Sequence, residues 1–206
     1  MPAAVSHRQE VLDYIAKLES VDPDTLSREG ALAYWINLYN AEAVALATEA
    51  LAIGSTSVLR LPGAFDRPFV TVAGEELSME AVEHAKIRRF GDPRIHGALV
   101  CGSLSCPTLR SSPYTEEGLD AQLDDQMRAF LAGGGALIRG DGTLVLSRVF
   151  LWYGGDFVRP HRMPTFVPAS KRRLLASLAP WLPAPVEEVS SVIFADYDWG
   201  LGCAVV

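Results

Sequence analysis

Residues 33–41 read Ala33-Tyr34-Trp35-Ile36-Asn37-Leu38-Tyr39-Asn40-Ala41, and they lie within an apolar segment that spans residues 28–51. At helical spacing, the apolar side chains of this segment cover most of the circumference, which is typical of a helix buried at the centre of a domain. Ser27 precedes the segment and is a favoured N-cap residue. The sequence therefore predicts a long central helix.

Two asparagines, Asn37 and Asn40, lie three residues apart near one face of this predicted helix. A buried carboxamide needs hydrogen-bond partners, so both are expected to contact neighbouring segments. One interpretation is that they brace adjacent loops. The other is that one of them orients a catalytic histidine or donates to an oxyanion.

The rest of the chain alternates helical and strand-like patterns without a regular βαβ rhythm. Further helices are predicted over residues 8–20, 79–90, 116–131 and 170–182. Hairpins are predicted over residues 69–77 and 136–146, and short strands over residues 95–100 and 192–194. We expect an α+β fold with a single domain over residues 1–206, in which several helices and a small antiparallel sheet surround the central helix.

Composition limits the class of protein. The chain has 206 residues and a formal net charge of −7, and its basic residues are scattered, which argues against a nucleic-acid partner. No apolar run is long enough to span a membrane, and the N-terminus has no secretory signal pattern, so a cytoplasmic location is expected. A periplasmic or secreted protein that had lost its signal peptide would look the same. Oligomeric state is left open.

The main chemical motif is the stretch of residues 95–107, Ile95-His96-Gly97-Ala98-Leu99-Val100-Cys101-Gly102-Ser103-Leu104-Ser105-Cys106-Pro107. It places His96, Cys101 and Cys106 at five-residue intervals. A cysteine becomes a nucleophile when an imidazolium, a helix N-terminus or backbone amides stabilise its thiolate. On a straight strand, however, His96 and Cys101 would point to opposite faces, so the chain must bend between them if they are to meet.

Other interpretations of this stretch stay open. The two cysteines and the histidine are also compatible with ordinary core residues. They could bind zinc with His84 or His161, although no second compact pair of ligands is present. Cys101 and Cys106 could instead close a small disulfide that acts as a redox switch. The third cysteine, Cys203, is expected to be a bystander, and no cofactor is expected.

Two aromatic and acidic blocks, residues 150–157 and 196–200, complete the set of motifs. Asp156 or Asp198 could orient His96 as the third member of a Cys-His-Asp arrangement. Trp152, Tyr153 and Trp199 could form the walls of a pocket. The alternative is that the aromatic residues belong to the core and the aspartates cap turns.

Taken in order, the segments 33–41, 96–109, 146–157 and 196–201 resemble DUF547, a family of unknown function found in bacteria and plants. The resemblance implies an α+β domain, similar to papain-like or transglutaminase-like thiol folds but with rearranged catalytic parts, because the central helix here carries Asn37 and no cysteine. Gly97, Val100 and Gly202 depart from the family pattern, which has an aromatic residue, a small polar residue and often asparagine there. Plant relatives replace the second cysteine with serine, which favours Cys101 as the essential thiol.

The sequence therefore predicts a thiol-dependent hydrolase or acyltransferase that acts on a peptide, an amide or a thiol-containing small molecule. Cys101 would be the nucleophile, His96 its base and Cys106 a second thiol near the pocket. Asn37, Asp156 or Asp198 would orient the imidazole. Predicted substrate contacts are the backbone amides of Gly102 and Ser103 and the side chains of Tyr39, Asn40, Trp152, Tyr153, Asp156 and Trp199. The alternatives are a non-catalytic binding module and a redox sensor that uses the two cysteines.

Overall fold

The long central helix is present and organises the fold. The structure, a computed structural model, describes residues 7–160 and 169–202. Helix α2 spans Arg28–Ala52, and the Ser27 hydroxyl caps it by accepting a hydrogen bond from the Gly30 amide at 3.0 Å. Most of its residues are buried, including the polar residues Asn40 and Glu42. The helix predicted over residues 28–51 is confirmed.

The other helices pack around α2 and beside a second group of apolar residues. The remaining helices are α1 (Arg8–Glu19), α3 (Met79–Ala81), α4 (Ile95–Ala98), α5 (Leu119–Phe130), α6 (Val149–Trp152), α7 (Gly154–Val158) and α8 (Lys171–Leu178). Helix α3 continues as a π-helical turn, Val82–Lys86, and a 3-10 turn, Ile87–Phe90. No helix among residues 7–160 and 169–202 is both long enough and apolar enough to cross a membrane.

Two small sheets accompany the helices, so the α+β fold class is confirmed. Strands β1 (Pro68–Val72) and β2 (Glu75–Ser78) form an antiparallel hairpin. Strands β3 (Ala136–Ile138) and β4 (Thr143–Leu146) form the second predicted hairpin, and β5 (Ser191–Phe194) adds to it parallel to β4. The second sheet is therefore mixed, whereas the sequence predicted only antiparallel pairing.

The strand predicted over residues 95–100 is wrong. Residues Ile95–Ala98 form helix α4, and the chain becomes extended only at Leu99. An apolar run of this length is equally compatible with a buried helical turn, and packing decides between the two. Here α4 packs so closely against α5 that a Cβ atom at Gly97 would lie 3.0 Å from the Met127 Cα. Because His96 lies in a helical turn, the expected conflict of strand faces between His96 and Cys101 does not arise.

Candidate active site

The central helix fixes the backbone that precedes Cys101. The Asn40 carboxamide donates from Nδ2 to the Ala98 carbonyl at 3.0 Å and accepts from the Val100 amide at 3.0 Å. One buried side chain thus satisfies backbone groups on both sides of Leu99. Asn37 makes an equivalent pair with Tyr114, donating to its carbonyl at 2.8 Å and accepting from its amide at 2.9 Å. Both asparagines therefore brace loops, the first of the two interpretations of this pair.

The loop that carries the two cysteines is held from its other side by residues 197–202. Gly102 has a positive φ of 79°, which turns the chain after Cys101. Ser103 then forms an isolated antiparallel bridge with Leu201, and the Leu104 amide donates to the Gly200 carbonyl at 2.8 Å. The loop is thus fixed by segments that are distant in sequence.

The Cys101 sulfur lies among hydrogen-bonding groups. Its Sγ is 3.0 Å from the Ser103 Oγ and 3.2 Å from the Tyr197 Oη, and Ser103 donates to Tyr197 at 2.9 Å. Burial raises the pKa of Tyr197, so its hydroxyl stays protonated and can donate to sulfur. Hydrogen bonding from Cys106 lowers the pKa of Cys101 to about 6, with further lowering by Ser103 and Tyr197, and together these outweigh the opposing effect of burial.

Cys106 has the opposite character. Burial raises its pKa well above the usual value, and the neighbouring Cys101 adds to this effect. The backbone amide of Cys101 donates to the Cys106 sulfur at 2.7 Å, and this sulfur also lies 3.9 Å from the Leu99 carbonyl oxygen. Both cysteines are free thiols. The pair therefore combines a thiolate at Cys101 with a protonated thiol at Cys106.

His96 is held by a buried ion network. Its Nε2 lies 2.9 Å from the Asp156 Oδ2, and the same carboxylate accepts two hydrogen bonds from Arg88, at 2.8 and 2.9 Å. Burial alone would raise the pKa of Asp156, but the hydrogen bonds from His96 and Arg88 outweigh it and leave the pKa below the usual value. The imidazole also stacks on Tyr153, with ring centroids 4.3 Å apart. Orientation of the ring is thus fixed on two sides.

These groups line one cavity of about 280 Å³. Its lining includes His96, Cys101 and Cys106, together with Tyr39, Trp152, Tyr153, Tyr197 and Trp199. Trp152 and Trp199 stack with centroids 5.9 Å apart, and Tyr197 packs against both. The predicted aromatic walls are therefore present, and an apolar substrate portion can lie against them.

The cavity also has an acidic side. Asp66, Glu80 and Glu83 contribute to its lining, and among the described residues no lysine or arginine does. The Glu83 carboxylate accepts a hydrogen bond from the Tyr39 hydroxyl at 3.1 Å. The balance of charge therefore favours a ligand that is neutral or positively charged.

Not every predicted site residue reaches this cavity. Of the three candidates for orienting His96, Asp156 binds the imidazole but does not itself line the cavity, whereas Asn37 binds Tyr114. Asp198 accepts a hydrogen bond from the Gly200 amide at 2.8 Å and so caps a turn. Asn40, Gly102 and Ser103 are not in the cavity lining, although Ser103 contacts the Cys101 sulfur through its hydroxyl. Within the described ranges, no hydrogen bond joins His96 to either cysteine.

The sequence analysis did not predict the acidic residues of the lining, nor Arg88 and Tyr197, which contact the groups around His96 and Cys101. Arg88 is 3% exposed and belongs to the helical segment after β2, where only its position four residues after His84 hinted at a polar cluster. Tyr197 lies between Asp196 and Asp198, in the block of residues 196–200 from which only Asp198 and Trp199 were predicted to be site residues. No local pattern distinguishes a tyrosine that donates to sulfur from one that packs in a core.

The zinc interpretation finds no site in the described part of the chain. No three histidine, cysteine, aspartate or glutamate side chains of residues 7–160 and 169–202 are grouped so that they could hold a metal ion. His161 and Cys203, which the sequence analysis considered, lie outside the described residues.

Comparison with known families agrees with the motifs. A family model described as "Protein of unknown function, DUF547" matches residues 23–131, which is more than half of the chain. The chain belongs to the DUF547 family. The match covers helix α2, which carries Asn37 and Asn40, and the loop that carries Cys101 and Cys106. It ends before the two aromatic and acidic blocks. No curated protein and no solved structure matches the chain, so similarity to papain-like or transglutaminase-like folds stays a prediction.

The glycines that depart from the DUF547 pattern have steric explanations here. At Gly97, the close approach of α5 leaves no space for an aromatic side chain. At Gly202, a side chain would collide with Leu104, while the Gly202 amide donates to the Gly102 carbonyl at 3.1 Å. Both departures therefore accompany tight packing beside the cysteine loop.

Proposed function

We propose that this DUF547 member is a thiol-dependent hydrolase or acyltransferase in which Cys101 is the nucleophile and His96 is the general acid and base. The supporting observation is that the Cys101 sulfur, which hydroxyl groups surround, and His96, which Asp156 orients, line the same cavity. A nucleophile beside an oriented acid–base residue is the arrangement that covalent acyl transfer requires.

The proposed reaction has two steps. The Cys101 thiolate attacks the carbonyl carbon of an acyl substrate, and the bond to the leaving group breaks as His96 gives that group a proton. A thioester on Cys101 results. Water, or an amine or thiol acceptor, then attacks the thioester and gives its proton to His96, and the Cys101 thiolate is released. Asp156 stabilises the protonated imidazole and keeps Nδ1, the other ring nitrogen, for the proton transfers.

Activation of the thiol and proton transfer are separable in this proposal. Cys106, Ser103 and Tyr197, rather than the imidazole, stabilise the Cys101 thiolate. Replacement of His96 should therefore remove turnover and leave thiol reactivity largely intact. In a Cys-His ion pair, by contrast, the same replacement raises the thiol pKa and slows alkylation near neutral pH.

The acidic lining suggests a substrate class. Asp66, Glu80 and Glu83 would favour an acyl group or leaving group that carries an amine, and the aromatic walls would contact its apolar part. We expect Nα-acetyl-lysine p-nitroanilide to be cleaved faster than Nα-acetyl-norleucine p-nitroanilide, which has an uncharged side chain of similar length.

The test combines three variants with two assays. Release of p-nitroaniline measures turnover, and mass spectrometry of iodoacetamide-treated protein measures thiol reactivity. Cys101→Ala should lose both. His96→Asn should lose turnover but keep rapid alkylation at Cys101. Cys106→Ala, the matched control for loss of a thiol, should keep alkylation at Cys101 with a raised midpoint pH. If Cys101 reacts no faster than a model thiol and no ester, thioester or amide is turned over, the alternative of a binding module is favoured.

A redox function is a second candidate because the two free thiols are neighbours. The Cys101 amide contacts the Cys106 sulfur at 2.7 Å, which places that sulfur directly beside Cys101. With diamide as the oxidant, the two thiols would form a disulfide and give up two electrons and two protons, which reduce diamide to the hydrazine. Loss of the mass of two hydrogen atoms from the peptide that contains both cysteines, reversed by dithiothreitol, would support this function.

A further inference from the structure

A second cavity lies on another side of the central helix. It has a volume of about 590 Å³ and is lined by α1, α2 and the loop of residues 109–114. This volume is within the range of small-molecule sites. It shares no lining residue with the cavity that His96, Cys101 and Cys106 line. The two cavities are therefore separate spaces, although Asn40, which holds the backbone before Cys101, belongs to this second lining.

Two hydrogen-bond donors of this cavity have no partner in the described structure. The Arg110 guanidinium forms no hydrogen bond or ion pair with any residue of the ranges 7–160 and 169–202, and its Nε is buried. The Tyr114 hydroxyl, on a side chain that is 4% exposed, is also buried without a partner. The guanidinium carbon of Arg110 lies 5.8 Å from the centroid of the Tyr114 ring. Two adjacent buried donors without acceptors are costly, which makes them candidates for ligand contacts.

The chemistry of these donors selects an anion. Arg110 is always charged, and burial raises the pKa of Tyr114 despite the opposing effect of Arg110, so the hydroxyl stays a donor. Among the described residues of the lining, the other acidic or basic side chains are His7 and Glu10, which are exposed and lie 2.7 Å apart. Solvent screens an exposed carboxylate, so the Arg110 guanidinium, whose Nε is buried, is the dominant charge inside the cavity.

The remaining surface of the cavity is largely apolar. Val11 of α1, Ala41 and Val44 of α2, and Leu109 contribute to it. An arginine fork binds a carboxylate through two parallel hydrogen bonds, and apolar walls bind a hydrocarbon body. We propose that this cavity binds a monocarboxylate with an apolar body, whose carboxylate pairs with Arg110 and Tyr114 and whose body lies against α1 and α2.

Calorimetric titration of the full chain tests this proposal. Octanoate should bind, and octanamide, which has the same length without the charge, should bind at least tenfold more weakly. Arg110→Gln should weaken octanoate binding at least tenfold, while Arg60→Gln, a control at an exposed arginine, should leave it unchanged. Val44→Trp fills the cavity and should abolish binding. Circular dichroism of each variant verifies that it is folded.

A second carboxylate, 2-naphthoate, distinguishes aromatic from aliphatic bodies. If one of the two compounds binds more tightly than the other and Arg110→Gln loses that binding, the result supports the site. It also identifies whether the body of the ligand is aliphatic or aromatic. The proposal is overturned if neither carboxylate binds at millimolar concentration. It is equally overturned if binding persists unchanged in folded Arg110→Gln and Val44→Trp, because the carboxylate then occupies another place.

Discussion

Tyr197→Phe is the most direct perturbation of the Cys101 thiol. The substitution keeps the ring that packs against Trp152 and Trp199 and removes only the hydroxyl, which lies 3.2 Å from the sulfur. A hydrogen bond to a charged group contributes about 1.5–3 kcal/mol, and one pKa unit corresponds to about 1.4 kcal/mol. Loss of this donor should therefore raise the pKa of Cys101 by about 1–2 units.

The expected effect on alkylation changes sign with pH. The wild-type thiol, with a pKa of about 6, is half ionised at that pH, and its rate of reaction falls as the pH falls further. In Tyr197→Phe the smaller thiolate fraction slows the reaction at pH 6, although a more basic thiolate is intrinsically more nucleophilic. With a Brønsted coefficient of about 0.4–0.5, the net result is about two- to eightfold slower reaction at pH 6 and about three- to ninefold faster reaction at pH 9.

The assay is the rate of iodoacetamide modification between about pH 5 and pH 9, followed by mass spectrometry. Fragmentation of the modified peptide assigns the label to Cys101 or Cys106. Tyr34→Phe is the matched control, because its hydroxyl donates to the Leu18 carbonyl away from the thiols. A midpoint that stays near 6 in Tyr197→Phe, or moves lower, refutes the assignment of Tyr197 as a donor to the thiolate.

Three further substitutions test the surrounding structure by urea unfolding. Asp156→Asn removes the carboxylate that binds both Arg88 and His96 and should lower the free energy of unfolding by about 3–5 kcal/mol. Because the pKa of Asp156 in the folded protein lies below its usual value, the stabilisation by its ionised form is complete above about pH 4 and is lost as the pH falls through the folded pKa. This acid-dependent loss of stability should be missing from the variant. Burial raises the pKa of Glu42 to about 7, so its contribution to stability is present at low pH and is lost as the pH rises through 7. Glu42→Gln should therefore be more stable than wild type by about 1–3 kcal/mol at pH 8 and nearly equal to it at pH 4, and equal stability at both would contradict burial as the cause. Gly97→Ala should lower stability by about 1–3 kcal/mol because its Cβ would lie 3.0 Å from the backbone of α5, and an unchanged unfolding midpoint would show that the two helices can separate at little cost.

The sequence predicted the features that depend on local pattern. The length and burial of α2 follow from apolar residues around its whole circumference, and Ser27 indicated where it begins. The Asp-Gly turn in residues 136–146 predicted the β3–β4 hairpin. Of the aromatic residues in the last two motifs, Trp152, Tyr153, Tyr197 and Trp199 line the cavity, whereas Phe150 and Phe157 are buried in the core.

Features that depend on tertiary packing were less accessible. Residues 95–100 have the composition of a buried strand, but Ile95–Ala98 form the helix α4, which packs closely against α5. The choice between Asp156 and Asp198 as the partner of His96 also required the structure, since both follow aromatic residues in similar motifs. Arg88 could not be identified because its partner lies 68 residues away and its spacing from His84 is only a weak local signal.

The Tyr197 hydroxyl, which helps to lower the pKa of Cys101, belongs to a residue that lies 96 positions further along the chain. During translation, Cys101 leaves the ribosome long before Tyr197 has been made, and neither the bridge at Leu201 nor the hydrogen bonds at Gly200 can yet form. Cys106 and Ser103 are close to Cys101 in sequence, but the contribution of Tyr197 to the acidity of the thiol is added only when residues 197–202 dock. The full acidity of Cys101 is therefore a property of the completed fold.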